Sequence, residues 1–582
     1  IKFCASSICD IIAGGRARAR LDTMLSACAP LHGYGSSGPA RGKATFFVSE
    51  DVDLSRVALP RSAGLLDAKC LMAPERAKVS AELNRIVLPA DQVPQVGIRS
   101  CHKVSRESEG QFVRRLLDCG MGVLVEEDRL PRHPHSNALL RGGCFGVPHT
   151  RGRQRLIYDR RALNQTERDL SDEWLWLPHG TQWCDMILGP SHTVRGATAD
   201  LAAWFYQLAH SGDWHLRQSI GRRLRGRDYQ NCGASPSLHY RLCLRVVAMG
   251  DKNGVPFAQE CHEFILRSGG CLSPTETLRY GLSFPLSCVI QGAYVDDLAV
   301  AGVVARDRVK CMPGCPCSRC ELDGGELPDI RRYNSALEAY AKAGAETSAD
   351  KLIGFSEVFT CWGSEIDGSE GRVGVSSDKR RQIFRLTVGV VLLGRCSKHA
   401  LQSLVGSIVY PLMHRRELMC CFVQTFIFLE SMSEIDDSKI PVGVLDELIA
   451  AALALVVSFA NIRAPVSTCL SATDATVRRA GACQAFVPQR VANACYRRSE
   501  HRGEYTRLRW SDFDIALRPS RMLEPGPDIN KFAESLFWQD PVGYDFRRTE
   551  HINVQELKAA MDEVVRRISR GERDIAAGSP SI

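Results

Sequence analysis

The chain has 582 residues, of which 45% are apolar and 24% charged, and its 74 basic and 66 acidic residues give a net charge of +8. This length excludes a single hydrophobic core, and the composition excludes a disordered chain, so two to four globular domains are expected. The mild positive charge is compatible with a polyanionic partner. The longest apolar run, residues 448–460, is shorter than the about 17 residues that span a membrane. We therefore predict a core helix there and no membrane association.

Residues 1–95 carry no motif and no assigned role, and residues 29–44 have the composition of a linker. Further along, the pattern of apolar residues predicts a helix that ends near Gly120, a helix over 330–345 and mostly helical structure over 378–462. Strands are expected after Pro465, and a helix after Asn553.

The first segment with chemical potential contains Arg153 and Arg155, which alternate along a predicted strand and therefore point to one face. Guanidinium groups in this arrangement can hold a triphosphate through paired hydrogen bonds. The alternative is a surface strand with balanced charges.

The second segment places Asp200 at the end of a predicted strand, with an aromatic cluster after it. Asp200 is a natural third carboxylate for a pair of metal ions. Phe205, five residues later, can exclude a 2′-hydroxyl, the group that distinguishes RNA precursors from DNA precursors. Taken alone, Phe205 would more commonly be a core residue.

The third segment is Met249-Gly250-Asp251, followed by Gln259. A glycine turn that opens a helix allows the backbone to approach a template or a nucleotide closely. The pattern is weak without its neighbours.

The fourth segment is Tyr294-Val295-Asp296-Asp297, set between two short apolar runs. It predicts a β-hairpin that presents Asp296 and Asp297 at its turn. Two adjacent buried carboxylates are costly unless a cation neutralises them, and such hard oxygen ligands suit Mg²⁺ or Mn²⁺. Two such ions are used in phosphoryl transfer, whereas a solvated Asp-Asp turn is the alternative.

The fifth segment contains Lys351 and, further on, Trp362-Gly363. Lys351 can protonate or neutralise a departing pyrophosphate. Trp362 and Gly363 can brace the end of a primer. Exposed lysines are often merely solvated, so both roles for Lys351 remain open.

In this order, the five segments resemble the fingers and palm of a retroelement reverse transcriptase over residues 96–375. The resemblance implies a right-hand polymerase of the α+β class, with a ferredoxin-like palm sheet and a helical thumb or connection over 376–463. It implies two Mg²⁺ (or Mn²⁺) ions, and as partners an RNA template, a DNA or RNA primer, an RNA/DNA hybrid and dNTPs. The Met-Gly-Asp turn is closest to retrotransposon variants, and it departs from the usual Pro-Gly or Gln-Gly version.

The resemblance also assigns roles to residues of this sequence. Asp200, Asp296 and Asp297 would be the catalytic metal ligands and Lys351 a further catalytic residue. The remaining assignments are nucleotide binding by Arg153, Arg155, Phe205, Gly250 and Gln259, and a primer grip at Trp362 and Gly363.

Residues 464–582 resemble the start of a ribonuclease H domain, an α/β unit that follows reverse transcriptase in such elements. Asp474 on a predicted strand and Glu556 near a helix start, with Asn553 as its N-cap, would be metal ligands. The further acids that the family requires do not appear before Ile582. We therefore expect an incomplete domain and doubt a ribonuclease activity.

The 24 cysteines are scattered and no signal peptide is present, which favours free thiols in a reducing, intracellular compartment, either cytoplasm or nucleus. An inserted loop over 308–325 holds Cys311, Cys315, Cys317 and Cys320. Four thiolates at this spacing can bind Zn²⁺, but free thiols are the favoured alternative.

Two other functions remain open from the sequence. An RNA-dependent RNA polymerase would have a small or polar residue at the position of Phe205. A decayed or domesticated element would bind RNA or hybrid without catalysis. The oligomeric state is not predicted.

Overall fold

A computed structural model describes residues 49–149, 152–171, 175–210, 212–280, 282–311, 327–434, 436–497 and 527–572. The predicted linker over 29–44 and three cysteines of the predicted zinc loop (Cys315, Cys317 and Cys320) lie outside these ranges.

The described residues alternate strands and helices, with helices concentrated after residue 376. The strands are β1 Leu66–Asp67, β2 Gly122–Glu126, β3 Gly143–Pro148, β4 Gln154–Asp159, β5 His192–Asp200, β6 Leu208–Ala209, β7 Ser219–Arg225, β8 His239–Leu244, β9 Val289–Tyr294, β10 Asp297–Ala305, β11 Ile353–Ser356, β12 Val358–Cys361, β13 Ser364–Asp367, β14 Arg372–Gly374, β15 Arg395–Cys396, β16 Ser438–Lys439, β17 Phe459–Asn461, β18 Cys469–Ala475, β19 Arg479–Phe486 and β20 Gln539–Asp545.

The helices are α1 Pro74–Ala81, α2 Glu109–Asp118, α3 Arg161–Asn164, α4 Trp204–Gln207, α5 Gly254–Ser268, α6 Pro328–Ala343, α7 Ser377–Leu393, α8 Lys398–Leu412, α9 Gln424–Ser431, α10 Val442–Ala454, α11 Gln489–Arg497, α12 Pro527–Glu534 and α13 Ile552–Ser569. Helices and strands are both abundant, so the predicted α+β class is confirmed.

The central sheet has the order β11-β5-β10-β9, and all of its neighbouring strands are antiparallel. Both faces are covered, because alternate residues of β10 enter different cores. Leu298 and Val300 pack into the largest core, which α5 and α6 also line. Ala299 and Ala301 pack on the other face, against a core that includes Phe359. This period of two is what a sheet buried on both sides requires.

Residues of the N-terminal region belong to the same largest core. Val52, Leu66 and Met72 are buried in it, and β1 pairs in parallel with β6. The described part of residues 1–95 is therefore packed onto the central unit.

A second sheet, ordered β12-β13-β14-β17, carries the helical bundle as an insertion. Helices α7 to α10 lie between β14 and β17, and these two strands are antiparallel neighbours in which Gly374 pairs with Phe459. The prediction of one core helix over 448–460 is wrong at its C-terminal end. The helix ends at Ala454, and residues 459–461 form β17 instead, because they complete the edge of the sheet.

The last described unit is the antiparallel sheet β18-β19-β20, with α13 packed against β18 and β19. Glu563 of α13 is buried and accepts hydrogen bonds from Ser471 Oγ at 2.9 Å and Gln484 Nε2 at 2.6 Å. The prediction of Asn553 as the N-cap is wrong, because the helix begins at Ile552 and residue 553 lies within its first turn.

No helix in the described ranges is both long enough and apolar enough to cross a membrane.

Candidate active site

The β9–β10 hairpin brings the three predicted carboxylates to one end of the central sheet. Tyr294 and Asp297 are register partners, so Val295 and Asp296 alone form the turn. On its other side β10 pairs with β5, and Asp297 lies directly opposite Asp200. The backbone N–H of Leu201 also donates to the carbonyl oxygen of Asp296 at 2.9 Å. Acids that are far apart in the sequence are thus neighbours in the sheet.

The acids of this cluster disfavour one another's charge. Burial, the charge of Asp296 and the charge of Asp200 together raise the pKa of Asp297 to about 7. Burial and the charge of Asp200 also raise the pKa of Asp296. Carboxylates in this state gain most from a nearby cation, because it relieves both the desolvation and the repulsion.

Asp200 is held by two donors in this structure. The Ser348 hydroxyl donates to Oδ1 at 2.7 Å, and Lys351 Nζ lies 2.7 Å from Oδ2. The Lys351 side chain is 63% exposed, so it reaches the buried carboxylate from the solvent side. Its charge also lowers the pKa of Asp296 and Asp297, although burial and the neighbouring acids leave both raised.

The donor set is chemically suited to Mg²⁺ or Mn²⁺, since it consists of hard carboxylate oxygens whose charge is only partly neutralised. The described residues nevertheless contain no group of three His, Cys, Asp or Glu side chains already arranged to hold a metal ion. Lys351 Nζ lies against one of the two carboxylate oxygens of Asp200. The three carboxylates are therefore chemically suited to a divalent cation. In this structure the ammonium group of Lys351 supplies one positive charge beside them.

Basic side chains from the β3–β4 hairpin lie near the acids. The charge of Arg155 lowers the pKa of Asp296. Burial first, and then the charges of Arg155, Arg153 and Lys351, lower the pKa of His149. Arg153 and Arg155 are both exposed, so their guanidinium groups are available to a ligand. His149 is an addition to this basic group that the sequence pattern did not single out.

Phe205 lies on α4, five residues after Asp200. Its side chain is only 8% exposed and packs within the largest core. Gly254 at the start of α5 lies against it, since a Cβ there would be 3.4 Å from the ring. A role as a sugar gate stays a prediction.

Gly250 contacts the protein backbone closely. Its φ is 117°, and a Cβ at this position would lie 1.9 Å from the carbonyl oxygen of Tyr158. Tyr158 N donates to Met249 O at 2.9 Å, so the turn is attached to β4. The observed close approach is therefore to β4, which is a different use from the predicted approach to a nucleotide.

Asp251, which completes the Met-Gly-Asp turn, is buried in an ionic network away from solvent. Arg160 Nη1 lies 3.5 Å from Asp251 Oδ1, and Gln218 Nε2 donates to Oδ2 at 2.8 Å. Gln259 is also buried, at 2% exposure, and its amide binds the β9–β10 hairpin. Both side chains organise the site from within the protein.

Trp362 and Gly363 form the two-residue turn between β12 and β13, with φ values of 46° and 81°. The Trp362 ring covers Gly292 of β9, where a Cβ would lie 2.3 Å from the ring. Tyr410 of α8 donates its hydroxyl to the Trp362 carbonyl oxygen at 2.6 Å. The turn predicted as a primer grip thus links the β9–β10 hairpin to the helical bundle.

In the C-terminal unit, Asp474 lies on β18 and Glu556 on α13, and both side chains are exposed. Neither belongs to a group of acids arranged around a metal in the described part of the chain. Cys311 is buried in a small core with Leu327 and Ile330. Its predicted zinc partners lie outside the described residues, so zinc binding remains a prediction.

Sequence reasoning gave no role to His262, which contacts the hairpin turn, and it did not single out Tyr340, which binds His262. His262 follows Gln259 by three residues, so helical periodicity puts both on one face of α5. Tyr340 is 78 residues further along, and no local pattern connects it to the turn.

Sequence comparisons give no match, either to a protein family model or to a curated protein. Solved structures of a foamy viral protease–reverse transcriptase resemble the chain at 12–13% identity. One, in complex with double-stranded DNA, has a TM-score of 0.42 and covers 89% of this chain and 74% of its own. A second, with an RNA/DNA hybrid, has a TM-score of 0.41, covers 85% of this chain and is itself only 53% covered. A third, with double-stranded DNA, has a TM-score of 0.40 and coverages of 95% and 83%. A likeness at this level carries no functional inference, which depends instead on the geometry of the acids.

Proposed function

We propose that this chain is an RNA-directed DNA polymerase of a retrotransposon, which adds dNTPs to a primer 3′-hydroxyl on an RNA template. The observation that carries the proposal is the meeting of Asp200, Asp296 and Asp297 at one end of a buried sheet, within reach of the charge of the exposed Arg155. Residues 96–375 would form fingers and palm, and residues 376–463 the thumb.

In this mechanism, Asp200, Asp296 and Asp297 would hold two Mg²⁺ ions. Bound divalent ions lower the pKa of the primer hydroxyl and offset the charge that develops on the phosphates. Arg155, with Arg153, would orient the triphosphate by paired hydrogen bonds. Because both faces of the sheet are packed, the strands that carry Asp200 and Asp297 would hold these residues in register before substrate arrives.

Lys351 would have two positions in the reaction. Without substrate it neutralises Asp200, with 2.7 Å between Nζ and Oδ2. With Asp200 engaged as a metal ligand, Lys351 would be free of this ion pair, and its exposed side chain would be able to turn to the departing pyrophosphate. There it would donate a proton or neutralise charge.

The experiment that tests the proposal is single-nucleotide primer extension on an RNA template, with Mg²⁺ or Mn²⁺ and with dNTPs compared to rNTPs. We expect extension with dNTPs, and we expect Phe205→Ala to raise the relative use of rNTPs about tenfold or more, because a steric gate is removed. Phe112→Ala, another buried aromatic in the same core, is a control for lost packing and should leave the ratio unchanged.

The other outcomes are also informative. A preference of the wild type for rNTPs would select an RNA polymerase. Binding of hybrid without extension in either metal would select a non-catalytic element. For residues 464–582 we propose a ribonuclease H-like unit.

A further inference from the structure

The turn that carries Asp296 contains a residue in an unfavourable backbone conformation. Val295 has a φ of 55°, in the left-handed region. This region is rare for side chains other than those of glycine, asparagine and aspartate, and it is a clear outlier for a β-branched residue. Such a conformation persists only where the surroundings impose it.

Two side chains of α5 supply that restraint. Gln259 Oε1 accepts a hydrogen bond from Val295 N at 2.7 Å, and His262 Nδ1 lies 3.0 Å from Val295 O. Gln259 Nε2 also donates to Ala293 O at 2.9 Å, just before the turn. Both hydrogen-bonding groups of the Val295 backbone are therefore engaged by the helix.

The chemistry of the contact fixes the form of the histidine. A carbonyl oxygen only accepts, so Nδ1 must carry the proton that it donates to Val295. Nε2 is then an acceptor for the Tyr340 hydroxyl, 2.7 Å away on α6. Burial lowers the pKa of His262 to about 4, which agrees with a neutral ring. The ring is also packed edge-on against Trp204, which leaves it little freedom to turn.

We propose that Gln259 and His262 are positioning residues that hold Val295 in its left-handed conformation and thereby aim Asp296 at Asp200. This inference rests on the proposed function of the carboxylates as metal ligands. The carbonyl oxygen of Asp296 is fixed independently by Leu201 N at 2.9 Å, so the helix and β5 hold the turn from two sides. Release of the helix side would let the turn relax and would separate the carboxylates.

The test removes the hydrogen bonds of Gln259 and His262, and in parallel replaces Val295 by a residue that does not need them. We would prepare Gln259→Leu and His262→Leu, each with and without Val295→Gly. Glycine adopts a positive φ freely, so it should no longer require the two side chains. The readouts are Mn²⁺ affinity by electron paramagnetic resonance, amide hydrogen exchange of a peptide covering 289–305, and kcat and KM for dNTP.

Each single variant should weaken Mn²⁺ binding about tenfold, a size typical for groups that orient metal ligands, and should speed exchange in the hairpin. kcat should fall with little change in KM. His262→Asn, which keeps a donor near the position of Nδ1, should retain most of the affinity. Val295→Gly should restore affinity and protection in the Leu variants.

His133→Leu is the matched control for loss of a buried histidine. His133 is 2% exposed, and its ring accepts from the backbone N–H groups of His135 and Ser136 in its own loop. It should lower stability without weakening Mn²⁺ binding or loosening the hairpin, and glycine at 295 should not rescue it.

Unchanged hairpin exchange in both Leu variants, or a defect that Val295→Gly does not relieve, would overturn the positioning role. Absence of Mn²⁺ binding or primer extension in the wild type would instead remove the polymerase proposal. The hydrogen-exchange comparison would still decide the positioning role in that event.

Discussion

The acid cluster at the β9–β10 hairpin and the C-terminal unit both place acids on antiparallel strands, but they treat those acids differently. The side chain of Asp297 is exposed, but it lies opposite Asp200, and desolvation together with the charges of Asp296 and Asp200 raises its pKa to about 7. Asp474 and Glu556 are exposed, and neither belongs to a group arranged around a metal in the described ranges. The two sets of acids thus differ in the repulsion that the fold imposes on Asp200, Asp296 and Asp297.

The same difference extends to the surrounding residues. The Asp296 turn is held by Gln259, His262 and Leu201 N. In the C-terminal unit, the buried acid that α13 uses to pack against the sheet is Glu563, which is bonded to Ser471 and Gln484. The buried Glu563 thus serves the packing of helix against sheet. The contacts around the Asp296 turn instead determine how the carboxylates are arranged.

The largest expected effect is on catalysis. Asp296→Asn should reduce primer extension at least about a thousandfold, because it removes a charged ligand of the metal ions that would offset the charge of the transition state. Asp474→Asn should leave extension within about twofold, as expected for an exposed surface substitution. Rates from single-turnover assays in Mg²⁺ test this contrast. Equal activity of Asp296→Asn and wild type would remove the metal assignment.

Gly250→Ala is expected to be the largest single perturbation of stability among these variants. The added Cβ would meet the Tyr158 carbonyl oxygen at 1.9 Å, so the turn must move. We expect a loss of about 3 kcal/mol in the free energy of unfolding. Gly233→Ala is the control, because Gly233 also has a positive φ but no atom within 4 Å of the added Cβ. Similar losses in denaturant titrations of the two variants would argue against the steric contact.

Asp185→Asn separates the cost of burial from the repulsion within the acid cluster. Burial alone raises the pKa of Asp185 to about 7, from 3.8. The folded state thus favours the protonated form, and the associated stability is complete below pH 3.8 and is lost as the pH rises through 7. Between about pH 5 and pH 8, wild type should lose about 2 to 3 kcal/mol relative to Asp185→Asn. Parallel stability curves for the two proteins would contradict a buried titrating group.

Tyr410→Phe should have the smallest effect. It removes the hydrogen bond from Tyr410 to the Trp362 carbonyl oxygen, which joins the helical bundle to the turn over β9. A loss of about 1 kcal/mol in stability is expected. If Trp362 and Gly363 brace a primer, the KM for primer–template should rise while kcat is retained. A fall in kcat alone would point to the catalytic hairpin instead.

The central hairpin was predictable because its apolar strands and its Asp-Asp turn are adjacent in the sequence. Local spacing also predicted α6. Arg155 and Lys351 were placed near the acids by their order along the chain, through the family resemblance rather than through any local signal.

The surroundings of the site were not predictable from local patterns. Gly250 suggested an approach to a ligand, but its close contact is with Tyr158, which is distant in the sequence. Nothing in the Met-Gly-Asp turn indicated that Asp251 is buried against Arg160. The partnership of His262 with Tyr340 joins two helices through one hydrogen bond, and nothing in either segment reports the other.

The neighbouring positions of β14 and β17 have a practical consequence. Gly374 and Phe459 are paired across an antiparallel ladder, so the 84 residues between them leave the sheet and return to it at the same place. A short tight turn has the right geometry to join these two ends directly. The four-helix segment can therefore be excised as a cassette, or exchanged for one of different length, while the strands that flank it keep their pairing.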